Sequence, residues 1–115
     1  MPRAEIIKIR LRHNRVEALY GILTQHVTLF EPATPHEHLL HEHLVALATR
    51  VHKMVAKERQ ERFTLNLTAV EALSFWQYFG ECNLAWDPYA DVIVKEMIAG
   101  IHKKHESTKR LRYAH

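Results

Sequence analysis

Hydrophobic and polar residues alternate over positions 6–12, with Ile7, Ile9 and Leu11 on one side and Lys8, Arg10 and Arg12 on the other. A period of two with β-branched residues predicts a half-buried strand. Positions 62–68 repeat the pattern, with Phe63, Leu65 and Leu67 inward and Arg62, Thr64, Asn66 and Thr68 outward. Each strand gives way directly to a helical period. Val16, Leu19, Tyr20, Leu23 and Val27 form one apolar stripe after the first strand. Thr68 and Glu71 have capping-box spacing: the hydroxyl accepts from an early helix amide and the carboxylate from the cap amide. Asn14 with Glu17 is a weaker version of the same spacing.

Pro32 and Pro35 close the first helix, and Thr34-Pro35 with Glu37 opens a second. Its stripe is Leu40, Leu44, Leu47, Val51 and Val55, and it is expected to last to about Gln60. A third helix is expected from Ala69 to Asn83. Asp87-Pro88 opens a fourth, with Val94, Ile98 and Ile101 inward and an end near Glu106.

Val16-Glu17-Ala18-Leu19 returns as Val70-Glu71-Ala72-Leu73, an offset of 54 by subtraction of 16 from 70. A duplicated unit follows, with repeat one at about 6–60 and repeat two at about 61–106 of a single domain 1–106. A basic tail, 107–115, is expected to fray. The expected fold is α+β, in the order β-α-α-β-α-α, with four helices on one face of a two-stranded sheet. The strands are antiparallel if a local twofold relates the repeats, and parallel otherwise.

The third helix departs from a simple amphipathic pattern, because Phe75, Trp76, Tyr78 and Phe79 point in several directions. Such a helix is either central in its own domain or pressed against another chain. These four residues are therefore the interface candidates. Gly21, Gly80 and Gly100 lie inside helices and are expected to let helices approach closely.

With 115 residues, 47% of them hydrophobic and 25% charged, the composition is that of one soluble globular domain. A single cysteine, Cys82, excludes an intrachain disulfide, and its expected role is that of a small hydrophobe. No leader-like segment and no run near the length of a membrane span is visible, so the expected setting is cytoplasmic, without membrane contact. The net charge of +3 permits an anionic partner without demanding one.

Three clusters carry candidate chemistry. On the outer strand face, Lys8, Arg10, Arg12 and Arg62 sit with Thr64 and Asn66, and Arg15 is placed at the rim. A β-ribbon bearing such residues suits a DNA groove, with Lys109, Arg110 and Arg112 of the tail adding charge. The bland alternative is the polar face of any half-buried strand. His36, His38, His41 and His43 surround Glu37 and Glu42, and His38, His41 and Glu42 are the metal candidates. Exposed imidazoles also take up zinc or nickel adventitiously, and no native cofactor is expected. His26, His52 and Tyr78 are candidates to meet between the repeats.

No nucleophile elbow, phosphate loop or paired carboxylates can be read from the chain, which argues against an enzyme. The leading expectation is a small α+β module acting by self-association, as a homodimer, or by binding a protein partner. Nucleic-acid binding through the basic strand face and tail is second, and metal binding through the His-rich helix start is third.

Overall fold

The computed structural model describes residues 6–57 and 61–113, with the side chains of the last helix followed as far as Lys104. Its order is β1 (Ile6–Arg12), α1 (His13–Leu29), α2 (Pro35–Val55), β2 (Arg62–Thr68), α3 (Ala69–Gly80) and α4 (Pro88–Tyr113). The two strands pair antiparallel, with Ile9 opposite Leu65 at the centre and Arg12 opposite Arg62 at one end. Over the described residues the chain is thus an α+β protein with four helices and one two-stranded antiparallel sheet.

The alternation in sequence sets the faces of the sheet. Ile7, Ile9, Phe63, Leu65 and Leu67 are buried and Leu11 half-buried, while the even-numbered residues of both strands are exposed. One cluster of buried side chains joins these to Val16, Leu19, Leu23, Leu44, Leu47 and Val51 of the first half, and to Phe75, Phe79, Met97 and Ile101 of the second. α1 packs on α2 and α4, and α3 packs on the same two helices.

The caps explain where most helices start. Thr34 accepts from the Glu37 amide at 3.1 Å, with Pro35 at the first helical position. Asp87 Oδ1 accepts from the Ala90 amide at 3.2 Å. The Thr68–Glu71 capping box is complete, at 3.1 and 3.0 Å. The expected Asn14 cap is not used: α1 starts at His13, its N-cap is Arg12, and no side chain caps it. The cap position falls on Arg12, whose side chain has no acceptor, and Asn14 lies inside the first turn.

Three boundaries also shift. α2 ends at Val55 and α3 at Gly80, both earlier than the expected ends at about Gln60 and Asn83. α4 continues to Tyr113, past the expected end near Glu106. Loss of apolar period does not stop a helix; residues 106–113 contain neither proline nor glycine.

An offset of 54 does not match the buried faces of α1 and α3. Val16 and Leu19 are fully buried, yet Val70 and Leu73 are 51% and 42% exposed. Strand ends and N-caps correspond at 56, as Arg12 and Thr68 show by subtraction. At that offset Val16, Leu19 and Leu23 match Ala72, Phe75 and Phe79, all buried. In the second helices, Leu44, Leu47 and Val51 match the buried Val94, Met97 and Ile101 at an offset of 50. A two-residue slip preserves faces in a strand but turns a helix by more than half a revolution. The repeated Val-Glu-Ala-Leu therefore falls on two different helix faces.

Candidate functional site

The exposed face of the two strands carries four cations, Lys8, Arg10, Arg12 and Arg62. His13 N–H donates to the Glu61 carbonyl at 3.0 Å, and the Asn66 carbonyl accepts from Arg50 instead of from β1. Odd-numbered residues therefore exchange the ladder bonds. Even-numbered ones form the non-hydrogen-bonded pairs, whose Cα atoms approach to about 4.5 Å with side chains closest. The exposed pairs are Ile6–Thr68, Lys8–Asn66, Arg10–Thr64 and Arg12–Arg62. Among the described residues no carboxylate pairs with Lys8, Arg10, Arg12 or Arg62.

Arg12 and Arg62 are directly opposed, an arrangement of like charges that opposes strand pairing. An open concavity of about 420 Å³ lies at this end, lined by Arg10, Leu11, Arg12, Arg62, Phe63 and Thr64. A neighbouring hollow is lined by Arg12, His13, Asn14, Glu61 and Arg62. The α1 N-terminus opens here with no acidic residue in its first turn, so the helix dipole adds to the positive potential. His13 Nε2 is buried without a hydrogen-bond partner. At the other end of the ribbon the α3 N-terminus is closed by its own Glu71.

Arg50 and Glu71 brace that other end. The Glu71 carboxylate is buried, accepts from the Arg50 guanidinium at 2.5 Å and from the Thr68 amide at 3.0 Å. Arg50 reaches on to the Asn66 carbonyl, tying α2 to the outer edge of β2. Sequence reading identified the cap but not the arginine, whose only signal was a cation flanking the apolar stripe at Leu47 and Val51.

The remaining candidates are distributed elsewhere. Arg15 is spent on α4: it donates to Glu96 at 3.3 Å and its guanidinium lies 6.0 Å from the centre of the Tyr89 ring. Lys109, Arg110 and Arg112 belong to the last turns of α4, and their side chains lie outside the described residues. Phe75 and Phe79 are in the core, and Trp76 and Tyr78 are half-buried against it. Phe75 and Phe79 thus serve the interior of their own chain.

Among the described residues no three His, Cys, Asp or Glu side chains converge as a metal site. His41 donates Nε2–H to the Val27 carbonyl at 3.0 Å and stacks on Phe30, which takes that nitrogen from any metal. The Gln77 amide donates to His36 at 3.2 Å. His38 and Glu42 are exposed. His102 packs edge-on against Trp76.

His26 and Tyr78 do meet, with His26 Nδ1 and the phenol oxygen 3.0 Å apart; the hydroxyl donates when the imidazole carries its proton on Nε2. His52 lies instead against Tyr20. Burial pushes Tyr78 up to about 12, raises Cys82 and lowers His26. Each group is thereby held neutral near pH 7, which suits a structural polar cluster better than a nucleophile. The glycines also differ from expectation. A Cβ on Gly21 would meet open space, and only Gly100 lies against another element, 3.1 Å from Ile9 Cδ1.

No family model matches this chain, and no curated protein or solved structure is significantly similar to it.

Proposed function

We propose that the chain is a nucleic-acid-binding protein that presents its antiparallel ribbon to the major groove of duplex DNA. In this reading the protein is a duplicated β-α-α unit, all four helices back one face of the ribbon, and the other face is left for the ligand. The observation that carries it is the bare outer face, where Lys8, Arg10, Arg12 and Arg62 project among Thr64, Asn66 and Thr68 without a compensating carboxylate among the described residues. Opposed Arg12 and Arg62 repel in the free protein and are relieved by a phosphate.

Dimensions favour B-form DNA. The major groove, roughly 12 Å wide, admits a two-stranded β-ribbon, and its base edges carry a distinct pattern for each base pair. The deep, narrow major groove of A-form RNA excludes a ribbon. Arg, Lys, Asn and Thr are the side chains that hydrogen-bond to base edges.

Fluorescence anisotropy with a labelled duplex tests this. Affinity should fall steeply with salt, and replacing Lys8, Arg10 and Arg12 together by serine should abolish binding while the helical circular dichroism is kept. Unchanged affinity in that variant rules out the ribbon face.

A second reading, self-association, retains one support: Trp86, Tyr89 and Val92 are exposed together around the start of α4. Light scattering decides it, since a monomer at high micromolar concentration excludes a dimer through this surface.

A further inference from the structure

We infer that a single chain reads a non-palindromic duplex site, with Arg10 selecting guanine in one half and Asn66 selecting adenine in the other. This rests on the ribbon reading above and adds which bases are chosen and by what.

The register supplies the argument. Strand ends correspond at an offset of 56, as Ile6 with Arg62 and Arg12 with Thr68 show by subtraction. Paired residues sum to 74, as Ile9 with Leu65 shows. Both relations hold together only at the Ile9–Leu65 pair, so the local twofold of the ribbon passes there. Rotation about it exchanges Arg10 with Asn66, Lys8 with Thr64, Ile6 with Arg62 and Arg12 with Thr68. No exchanged pair on the exposed face shares its chemistry.

A ribbon assembled from two identical chains places the same side chain at both exchanged positions, and its half-sites must mirror each other. Here both strands belong to one polypeptide, and that constraint is absent. Arg10 and Thr64 face one half of the site, and Lys8 and Asn66 face the other. Arginine matches the two acceptors of guanine, and asparagine matches the acceptor and donor of adenine. Lys8 and Arg10 are two residues apart on one face, about 6.8 Å. That spacing equals two base-pair steps of about 3.4 Å. The two halves also differ in charge, because Arg12 and Arg62 stand together at the Arg10 end, while Ile6 and Thr68 stand together at the Asn66 end.

Asn66 is suited to substitution. Its side chain is exposed, and it is the backbone carbonyl that Arg50 engages. Selection of bound duplexes from a random library by the full 115-residue chain should yield a non-palindromic consensus. Asn66→Ala should erase the adenine preference in one half and leave guanine in the other; Arg10→Ala should do the reverse. Changing the preferred base in the Asn66 half should weaken binding by roughly 5- to 150-fold for the parent chain and not at all for Asn66→Ala. Thermal melting checks that both variants fold. A palindromic consensus overturns the inference. Salt-sensitive binding without any consensus overturns base reading while leaving the ribbon–DNA contact in place. Failure to bind any duplex removes the ribbon reading itself.

Discussion

Replacing Arg62 by threonine should make the protein more stable and a weaker DNA binder. Arg62 opposes Arg12 in a non-hydrogen-bonded pair, so the two side chains leave Cα atoms about 4.5 Å apart. Both are exposed and can splay until their charges are about 8 Å apart, where the repulsion in water is about 0.5 kcal/mol before screening. One Debye length of physiological salt reduces it to about 0.2 kcal/mol. Threonine also suits a strand better. The expected gain is about 0.2–0.5 kcal/mol by urea unfolding, or a rise in Tm of about 1–3 °C. Binding should change the other way. With Arg10 on a base edge, three ribbon cations meeting phosphate, Lys8, Arg12 and Arg62, give a log–log salt slope of about −2.7, a roughly 40-fold loss between about 50 and 200 mM salt. Two give about −1.8, a roughly 12-fold loss. Anisotropy titrations across salt measure the slope directly. Lys95→Thr is the control, because Lys95 pairs with Asp91 on α4, away from the ribbon. A slope unchanged in Arg62→Thr, or shifted equally by Lys95→Thr, refutes the placement of phosphate against Arg62.

Other expectations follow from the same contacts. Glu71→Ala removes the acceptor for the Thr68 amide and the partner of Arg50. Arg50 is 37% exposed and can turn to solvent, so the cost should be about 2–3 kcal/mol by urea unfolding; Glu71→Gln, which retains an acceptor, should cost less, and a loss under 1 kcal/mol for the alanine would contradict the brace. Gly21→Ala fills open space and should stabilise α1 by about 1 kcal/mol, while Gly100→Ala should gain less because its Cβ meets Ile9 at 3.1 Å; equal gains would show that this contact carries no strain. His26 has its pKa lowered by burial from 6.5. The unfolded chain then binds the proton first, so the His26 contribution is present above pH 6.5 and is lost as pH falls through the folded value. The difference in stability between the parent and His26→Asn should shrink in acid, and a difference independent of pH would show that the imidazole is not desolvated. Tyr78 is raised from 10.0 to about 12, so its contribution is present below pH 10 and lost as pH rises towards 12; Tyr78→Phe should flatten the alkaline limb of stability.

The sequence by itself determined the strands, their inward and outward faces, the four helices and three of the starts. Those depend on period and on capping chemistry, which act over a few residues: Ile7 to Leu11, Phe63 to Leu67, Thr34 with Glu37, and Thr68 with Glu71. The outer-face residues Lys8, Arg10, Arg12 and Arg62 were legible for the same reason. Only the tertiary structure decided the rest. Pairing direction and register place Arg12 against Arg62 and Ile9 against Leu65, and no local pattern encodes which residue of one strand meets which of another. No single offset in the letters matches the buried faces of both helix pairs, because α1 has 17 residues and α3 has 12. Arg15, Arg50 and Tyr78 found their partners across 81, 21 and 52 positions, separations that packing bridges and sequence period does not.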